Sequence, residues 1–313
     1  VVRPIANRGV CLMQIRLLQY FVTLASEKHF ARAAQICGVT QPTLSSGIAA
    51  LEEQLGKRLV VREHRFMGLT LEGEAVLPWA QQLVADYTGL QKAAEMARGP
   101  LRGELRLGAI PASLPVTGHL AKAICDKHPE LAIAVHSLTS REIERGLAAF
   151  ELDAAVTYLD HEPPANVISV PLYTEQYMYI GRAIGRGERG CPISWAQAVA
   201  GPLCLLHRGM QNRRILDAHL AARGLTPQPK ATSDSYVALF AMVQSGGFAT
   251  IIPDTYAALV SDLDWAEVRP FADPFPPSRI GLVMLDRSPV GPLAKELLSI
   301  GQALALPSPF ARP

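Results

Sequence analysis

Along the first hundred residues apolar positions recur at helical spacing. Ile15, Leu18, Phe21, Val22 and Ala25 share one helical face, and Phe30, Ala33, Ala34 and Cys37 form a second, shorter stripe. Gly38 suits the left-handed residue that ends such a helix. Thr40 suits the cap of a third, with Pro42 in its first turn and Leu44, Ile48, Leu51 and Leu55 facing inward. Gly56 closes that helix, and LVVREHRFMGL (59–69) reads as a strand leading into a basic hairpin or wing. Thr70 opens a long helix with Glu72 and Glu74 near its positive end. Val76, Ala80, Leu83, Tyr87, Leu90 and Ala94 keep heptad spacing, which predicts pairing with a second chain; the alternative is an amphipathic helix packed on its own domain. Arg98-Gly99-Pro100 breaks it.

From residue 103 the pattern changes to short apolar runs alternating with amphipathic ones. GELRLGAI (103–110), AIAVHS (132–137) and LDAAVTY (152–158) read as strands. A helix follows Pro111, and a Thr139-to-Glu142 capping box opens another, reaching about Glu151. YMYIG (177–181), LCLL (203–206), KATS (230–233) and FATII (248–252) form a second series, with helices near 211–223 and 235–245. RIGLVML (279–285) and a helix from about Gly291 to Leu306 close the chain. Such alternation implies α/β architecture with largely parallel sheets and helices on both faces. His161-Glu162-Pro163-Pro164 and Arg269-Pro270 are the predicted crossings between two subdomains. The expected divisions are a helical unit at 13–70, a linker or dimerisation helix at 71–98, one lobe from 101–160 with 269–306, and a second lobe at 161–268.

Charge sharpens this division. The net formal charge of +2 over 313 residues says little, but residues 13–70 carry seven Lys/Arg against four Asp/Glu, while residues 99–313 carry nineteen against twenty. A local positive excess suits contact with phosphates. With 49% apolar and 19% charged residues the chain can bury substantial cores. The cysteines, Cys11, Cys37, Cys125, Cys191 and Cys204, are scattered and odd in number, so no zinc site, disulfide framework or cofactor is expected, and a reducing cytoplasm fits. No apolar run approaches the ~18 residues of a membrane span. The twelve residues ahead of Met13 lack the apolar stretch of a secretion signal and read as a start-site extension.

The third helix has the makeup of a DNA reader. Gln41, Thr43, Ser45 and Ser46 occupy its early turns, above the inward-facing Leu44, Ile48 and Leu51. Gln can bond an adenine edge in bidentate fashion, hydroxyls reach bases or phosphates, and Pro42 can touch a thymine methyl. Arg62 and Arg65 are candidate backbone or minor-groove contacts; the alternative for Arg62 is a structural pairing with Glu52 or Glu53. The run Phe21 to Gly73, with HFARAAQICGVTQPTLSSGIAALEEQLGKRLVVR (29–62) and LTLEGE (69–74), resembles the winged helix-turn-helix of the LysR-type transcriptional regulators. Ser46-Gly47 departs from that pattern, standing where many members carry a basic residue followed by Gln.

The resemblance implies a cytoplasmic homodimer or homotetramer joined through linker helices. It also implies binding to a roughly palindromic site in promoter DNA, contact with RNA polymerase, and a two-lobed effector domain like that of periplasmic solute-binding proteins. Ligands in such sheets lie beyond the carboxyl ends of strands. The candidate effector residues are accordingly Ile110, Ala112 and Ser113 after the first strand, Thr139 and Ser140 at a helix N-terminus, Thr157, and His207, Arg208, Met210, Gln211 and Asn212. Phe248, after the Ser245-Gly246-Gly247 turn, completes the set. Exposed N–H groups and hydroxyls at Thr139-Ser140, with Arg208 as counter-charge, predict a small anion, a carboxylate first. Three alternatives compete. An enzyme lacks motif support: G-x-S-x-G, phosphate-loop, dinucleotide and H-E-x-x-H patterns are missing. A solute receptor would not need the N-terminal reading head. A redox sensor of the same family would use Cys191 and Cys204, although Cys204 lies in an apolar strand where thiols are usually inert.

Overall fold

The computed structural model describes residues 14–62, 66–96, 100–183 and 190–310. The chain divides into two units, residues 1–94 and 95–313. In the first, α1 (Ile15–Glu27), α2 (Phe30–Ile36) and α3 (Gln41–Leu55) pack around Leu18, Phe21, Leu24, Ala33, Ala34, Leu44, Ile48 and Leu51, all buried. Each such leucine or phenylalanine contributes on the order of 2 kcal/mol by leaving water. Gly38 (φ +64) turns the chain out of α2, and the N–H of Val39 bonds back to the carbonyl of Ala34 at 3.0 Å. β1 (Val60–Arg62) and β2 (Phe66–Leu69) form an antiparallel hairpin. Thr70 then starts α4 (Leu71–Met96): its hydroxyl donates to the carbonyl of Arg58 at 2.6 Å and accepts from the N–H of Gly73 at 2.9 Å. Only glycine fits at position 73, since a Cβ there would lie 2.1 Å from the Leu59 carbonyl oxygen.

The second unit holds two lobes of one strand order. β3 (Gly103–Ala109), α5 (Leu114–Lys127), β4 (Leu131–Ser137), α6 (Ser140–Ala148), β5 (Ala154–Tyr158) and β6 (Val167–Glu175) open the first lobe. β7 (Tyr177–Arg182), α7 (Trp195–Ala200), β8 (Cys204–Leu206), α8 (Gln211–Ala221), β9 (Ala231–Ser233), α9 (Tyr236–Ser245), β10 (Thr250–Pro253), α10 (Asp254–Ala257) and β11 (Ala266–Pro270) make the second. β12 (Ser278–Leu285) and α11 (Pro292–Ala303) return to the first. Its sheet runs β4-β3-β5-β12-β6. In the second lobe β10-β7-β11 and β8-β9 are joined by the Leu203–Ala249 bridge, giving the corresponding order β9-β8-β10-β7-β11.

Two expectations change. The sheets are mixed rather than largely parallel: β12 is antiparallel to β5 and β6, and β7 is antiparallel to β10 and β11. The cause is the double passage between lobes, which brings these strands back without a helical crossover on the same sheet. The crossings also move. β6 pairs with β12 from Val167 to Glu175, so the chain leaves the first lobe at Gln176 rather than at 161–164. Arg269 and Pro270 are still paired with β7, so the return passes through residues 271–277. The core of the first lobe is the wholly buried β5 between α5 (Val116, Leu120, Ile124) and α6 (Ile143, Leu147), extended by Leu293 and Leu297 of α11.

Candidate functional site

Helix α3 is held along its length. The Thr40 hydroxyl accepts from the N–H of Thr43 at 3.3 Å, and the two threonine hydroxyls are 2.8 Å apart. Gly47 is buried, and a Cβ there would lie 2.5 Å from Cδ2 of Tyr20. α3 therefore approaches α1 closely at Gly47, which accounts for the glycine in the Ser46-Gly47 departure; nothing in the structure explains Ser46. The Arg16 guanidinium sits 5.6 Å from the centre of the same Tyr20 ring. At the far end Glu52 Oε1 accepts from the N–H groups of Leu59 (2.9 Å) and Val60 (3.1 Å), fastening the hairpin to the helix. Gln41, Pro42, Thr43 and Ser46 are exposed together on the outer face, and Ser45 is half-buried. Lys57 and Arg58 are exposed just beyond the helix. The Arg62 side chain and Arg65 lie outside the described residues.

In the second unit Ile110, Pro111 and Ala112 follow β3, Thr139 and Ser140 open α6, Leu206 ends β8, and Met210, Gln211 and Asn212 lead into α8. Together they line a cleft of about 220 Å³, counted to its open mouth. Its enclosed part has room for about one water molecule. Of the sequence-derived effector candidates, Ile110, Ala112, Thr139, Ser140, Met210, Gln211 and Asn212 meet here. Ser113 lies just outside, donating to the carbonyls of Ile110 and Val156, both at 3.1 Å, and so fixes the loop after β3. Thr157 is wholly buried in β5. His207 is exposed and closes a turn, its Nδ1 accepting from the N–H of Gly209 at 3.1 Å. Arg208 is exposed, 3.9 Å from Asp217, and Phe248 packs half-buried against the core.

Thr139 is a working cap. Its N–H donates to Glu142 Oε2 at 2.8 Å, its hydroxyl at 2.7 Å, and these bonds hold the Glu142 carboxyl below its ordinary range, the backbone bond most. A cation from the other lobe, Arg214, reaches the α6 terminus; the sequence reading named Arg208 in its place. Its Nη2 reaches Ser140 Oγ at 3.5 Å, its Nη1 donates to the Gly209 carbonyl at 2.7 Å, and it pairs with Glu162. That pairing draws the Glu162 carboxyl down. Neighbouring Arg213 is instead buried, bonded to Asp217 (2.8 Å) and to the carbonyl of Leu206 (2.9 Å).

Behind Asn212 lies a polar seam that periodicity did not reveal. Tyr158 donates its hydroxyl proton to Glu175 Oε1; Asn212 Nδ2 lies 2.7 Å from the Tyr158 oxygen and 3.4 Å from Glu175 Oε1. Tyr177 donates to the Asn212 carbonyl at 3.0 Å. Burial outweighs these hydrogen bonds and pushes the Glu175 carboxyl up to about 8. A glutamate ending an apolar strand immediately before the lobe crossing was the available signal. Of the two cysteines singled out, Cys191 is exposed. Cys204 is buried, donates to the Leu239 carbonyl at 3.8 Å, and has its thiol pushed up to about 11 by burial. Among the described residues no group of three or more His, Cys, Asp or Glu side chains could hold a metal ion, and no helix is long and apolar enough to cross a membrane.

Two family models match. "Bacterial regulatory helix-turn-helix protein, lysR family" covers residues 15–74, and "LysR substrate binding domain" covers residues 98–304. The chain is 34% identical over 282 residues to a "Probable hydrogen peroxide-inducible genes activator" of Mycobacterium avium, spanning 87% of this chain and 88% of that protein. It is 29% identical to the "DNA-binding transcriptional dual regulator OxyR" of Escherichia coli K12, over 89% of this chain and 91% of the relative. Among solved structures, a full-length OxyR variant from Pseudomonas aeruginosa superposes with a TM-score of 0.74 at 28% identity, covering 94% of this chain and 95% of that one. With a helix-turn-helix exposing Gln41, Thr43 and Ser46, followed in the chain by a two-lobed domain that matches the LysR substrate binding domain, the chain belongs to the LysR family of bacterial DNA-binding transcription regulators.

Proposed function

We propose that this regulator reads promoter DNA through Gln41, Pro42, Thr43, Ser45 and Ser46, and that a small anionic effector, a carboxylate first, governs it from the cleft between the lobes. Arg62 and Arg65 supply backbone or minor-groove contacts. Exposed apolar residues of α4 pair two chains into a cytoplasmic homodimer or homotetramer, which contacts RNA polymerase. The observation that carries the effector reading is the convergence at one cleft of the α6 N-terminus and the uncapped N-terminus of α8, with the Arg214 guanidinium 3.5 Å from the Ser140 hydroxyl. Unbonded N–H groups and the positive ends of helices favour a negative charge. Calorimetric titration of the full chain with small acids tests it. Saturable binding that Arg214→Ala weakens about tenfold is expected; binding only of neutral or cationic compounds overturns the reading.

The relatives' names favour a second reading, a peroxide-responsive regulator of the same family using Cys191 and Cys204. The buried, high-pKa thiol of Cys204 weighs against it, because the thiolate is the reacting form. Mass spectrometry after peroxide treatment separates the two readings. Unchanged thiols and unchanged DNA affinity fit the effector reading, whereas a Cys191–Cys204 disulfide with altered affinity establishes the redox one.

A further inference from the structure

The inner wall of the cleft is chemically unlike its mouth. Gln211 is 3% exposed and lines the cleft, yet only its amide nitrogen is engaged: Nε2 donates to the backbone carbonyl of His161, while Oε1 is buried without a partner. A carbonyl can only accept, so the amide must face His161 with its NH2 group, and the oxygen is turned elsewhere. Asn212 is fixed in the same sense. The Tyr158 proton is committed to Glu175, so the Tyr158 oxygen can only accept, and the Asn212 NH2 group meets both it and Glu175 Oε1. Because a primary amide is planar, the Asn212 oxygen then faces away from the seam, and this residue too lines the cleft. The Gln211 amide oxygen is thereby left for a partner, and Asn212, its amide turned the same way, lines the cleft beside it. A buried acceptor left unbonded carries an uncompensated desolvation cost, which a ligand donor can recover.

We infer that the effector carries a hydrogen-bond donor, a hydroxyl or an ammonium group, which Gln211 Oε1 and Asn212 Oδ1 receive, and that Glu175 and Tyr158 are positioning residues that hold this acceptor pair in place. Taken with the anionic group assigned above, on which this extension rests, the effector class is a small hydroxy or amino acid rather than a plain carboxylic acid. Sites that hydrogen-bond a ligand hydroxyl or amine discriminate strongly against analogues lacking it, because their own polar atoms would be left unpaired.

Matched probes test the inference by calorimetry on the full chain. The sets are acetate with glycolate and glycine, propionate with lactate and alanine, and benzoate with its 2-hydroxy and 2-amino derivatives; glycerol serves as a neutral donor. The donor-bearing member of a set is expected to bind at least tenfold more tightly than the plain acid. That ratio should fall to near one in Gln211→Leu and in Asn212→Leu. Plain acids binding as tightly as their hydroxy and amino partners overturn the inference, and this comparison needs only the unaltered protein. Glycerol binding that depends on Gln211, with no response to any acid, supports the acceptor pair and overturns the anionic reading. No response to any probe overturns both.

Discussion

At the scale of single residues, Glu175 is a carboxyl whose burial decides its behaviour. Its protonated form is favoured up to about pH 8 in the folded chain, whereas the ordinary glutamate value is 4.5. The folded state therefore holds this proton more tightly than the unfolded one. The stabilisation is complete below about pH 4.5 and is lost as pH rises through 8. Asp254, raised to about 6 by burial, acts in the same direction, while Glu142 and Glu162, both lowered, lose stability as pH falls. Thermal denaturation of the chain and of Glu175→Gln isolates the Glu175 contribution. The variant should gain on the parent by at least about 1 kcal/mol, a few degrees in Tm, between pH 5 and pH 9. Parallel curves would mean that Glu175 titrates like an exposed carboxyl. Gly47 makes a steric prediction: Gly47→Ala sets a methyl against the Tyr20 ring and should cost about 1–3 kcal/mol in denaturant unfolding. Sequence pattern marked Gly47 as unusual but attached the oddity to base reading. Its packing cause depends on a contact with a residue 27 positions earlier.

At the scale of elements, what the sequence disclosed was local. Thr40, Gly38 and the Thr139–Glu142 box act within one turn of chain, and all three form as the sequence predicts. β6 was missed because Pro171 interrupts it; β6 is the edge strand of its sheet, where a missing N–H is tolerated. One portion of the long helix packs on its own unit, and the other leaves its apolar stripe uncovered in the single chain. Val76 and Ala80 pack on the core of the first unit, whereas Leu83, Tyr87 and Leu90 are exposed in the single chain. Leu90, at 67% exposure, makes no contribution to a monomer core that would explain an apolar residue there. If the helix pairs two chains, Leu90→Glu should shift the assembly toward monomer in sedimentation velocity while changing the unfolding free energy of the single chain by no more than about 0.5 kcal/mol. An unchanged assembly would exclude this stripe from the interface.

At the scale of the whole molecule, the order of elements and the presence of two lobes could be read from alternation of strand and helix. The partners across each sheet could not. The return of β12 beside β5 and β6 joins residues more than a hundred positions apart, and this pairing moved both lobe crossings from where the sequence put them. The cleft was legible as a location, because ligands gather beyond strand ends, and seven candidate residues do line it. Its charge was not: Arg208 and Arg214 are equally cationic in sequence, and only folding brings Arg214 to Ser140. The seam of Tyr158, Glu175 and Asn212 draws on β5, β6 and α8, so no local pattern could announce it. The central claim is that the outer face of α3 reads DNA, and it has a direct measurement. A duplex recovered by in vitro selection with the full chain is titrated by fluorescence anisotropy against the unaltered protein and Gln41→Ala. Loss of about 1–3 kcal/mol of binding to the selected duplex, with little change on a scrambled one, is the predicted result. Equal affinity of the two proteins for the selected duplex would contradict it.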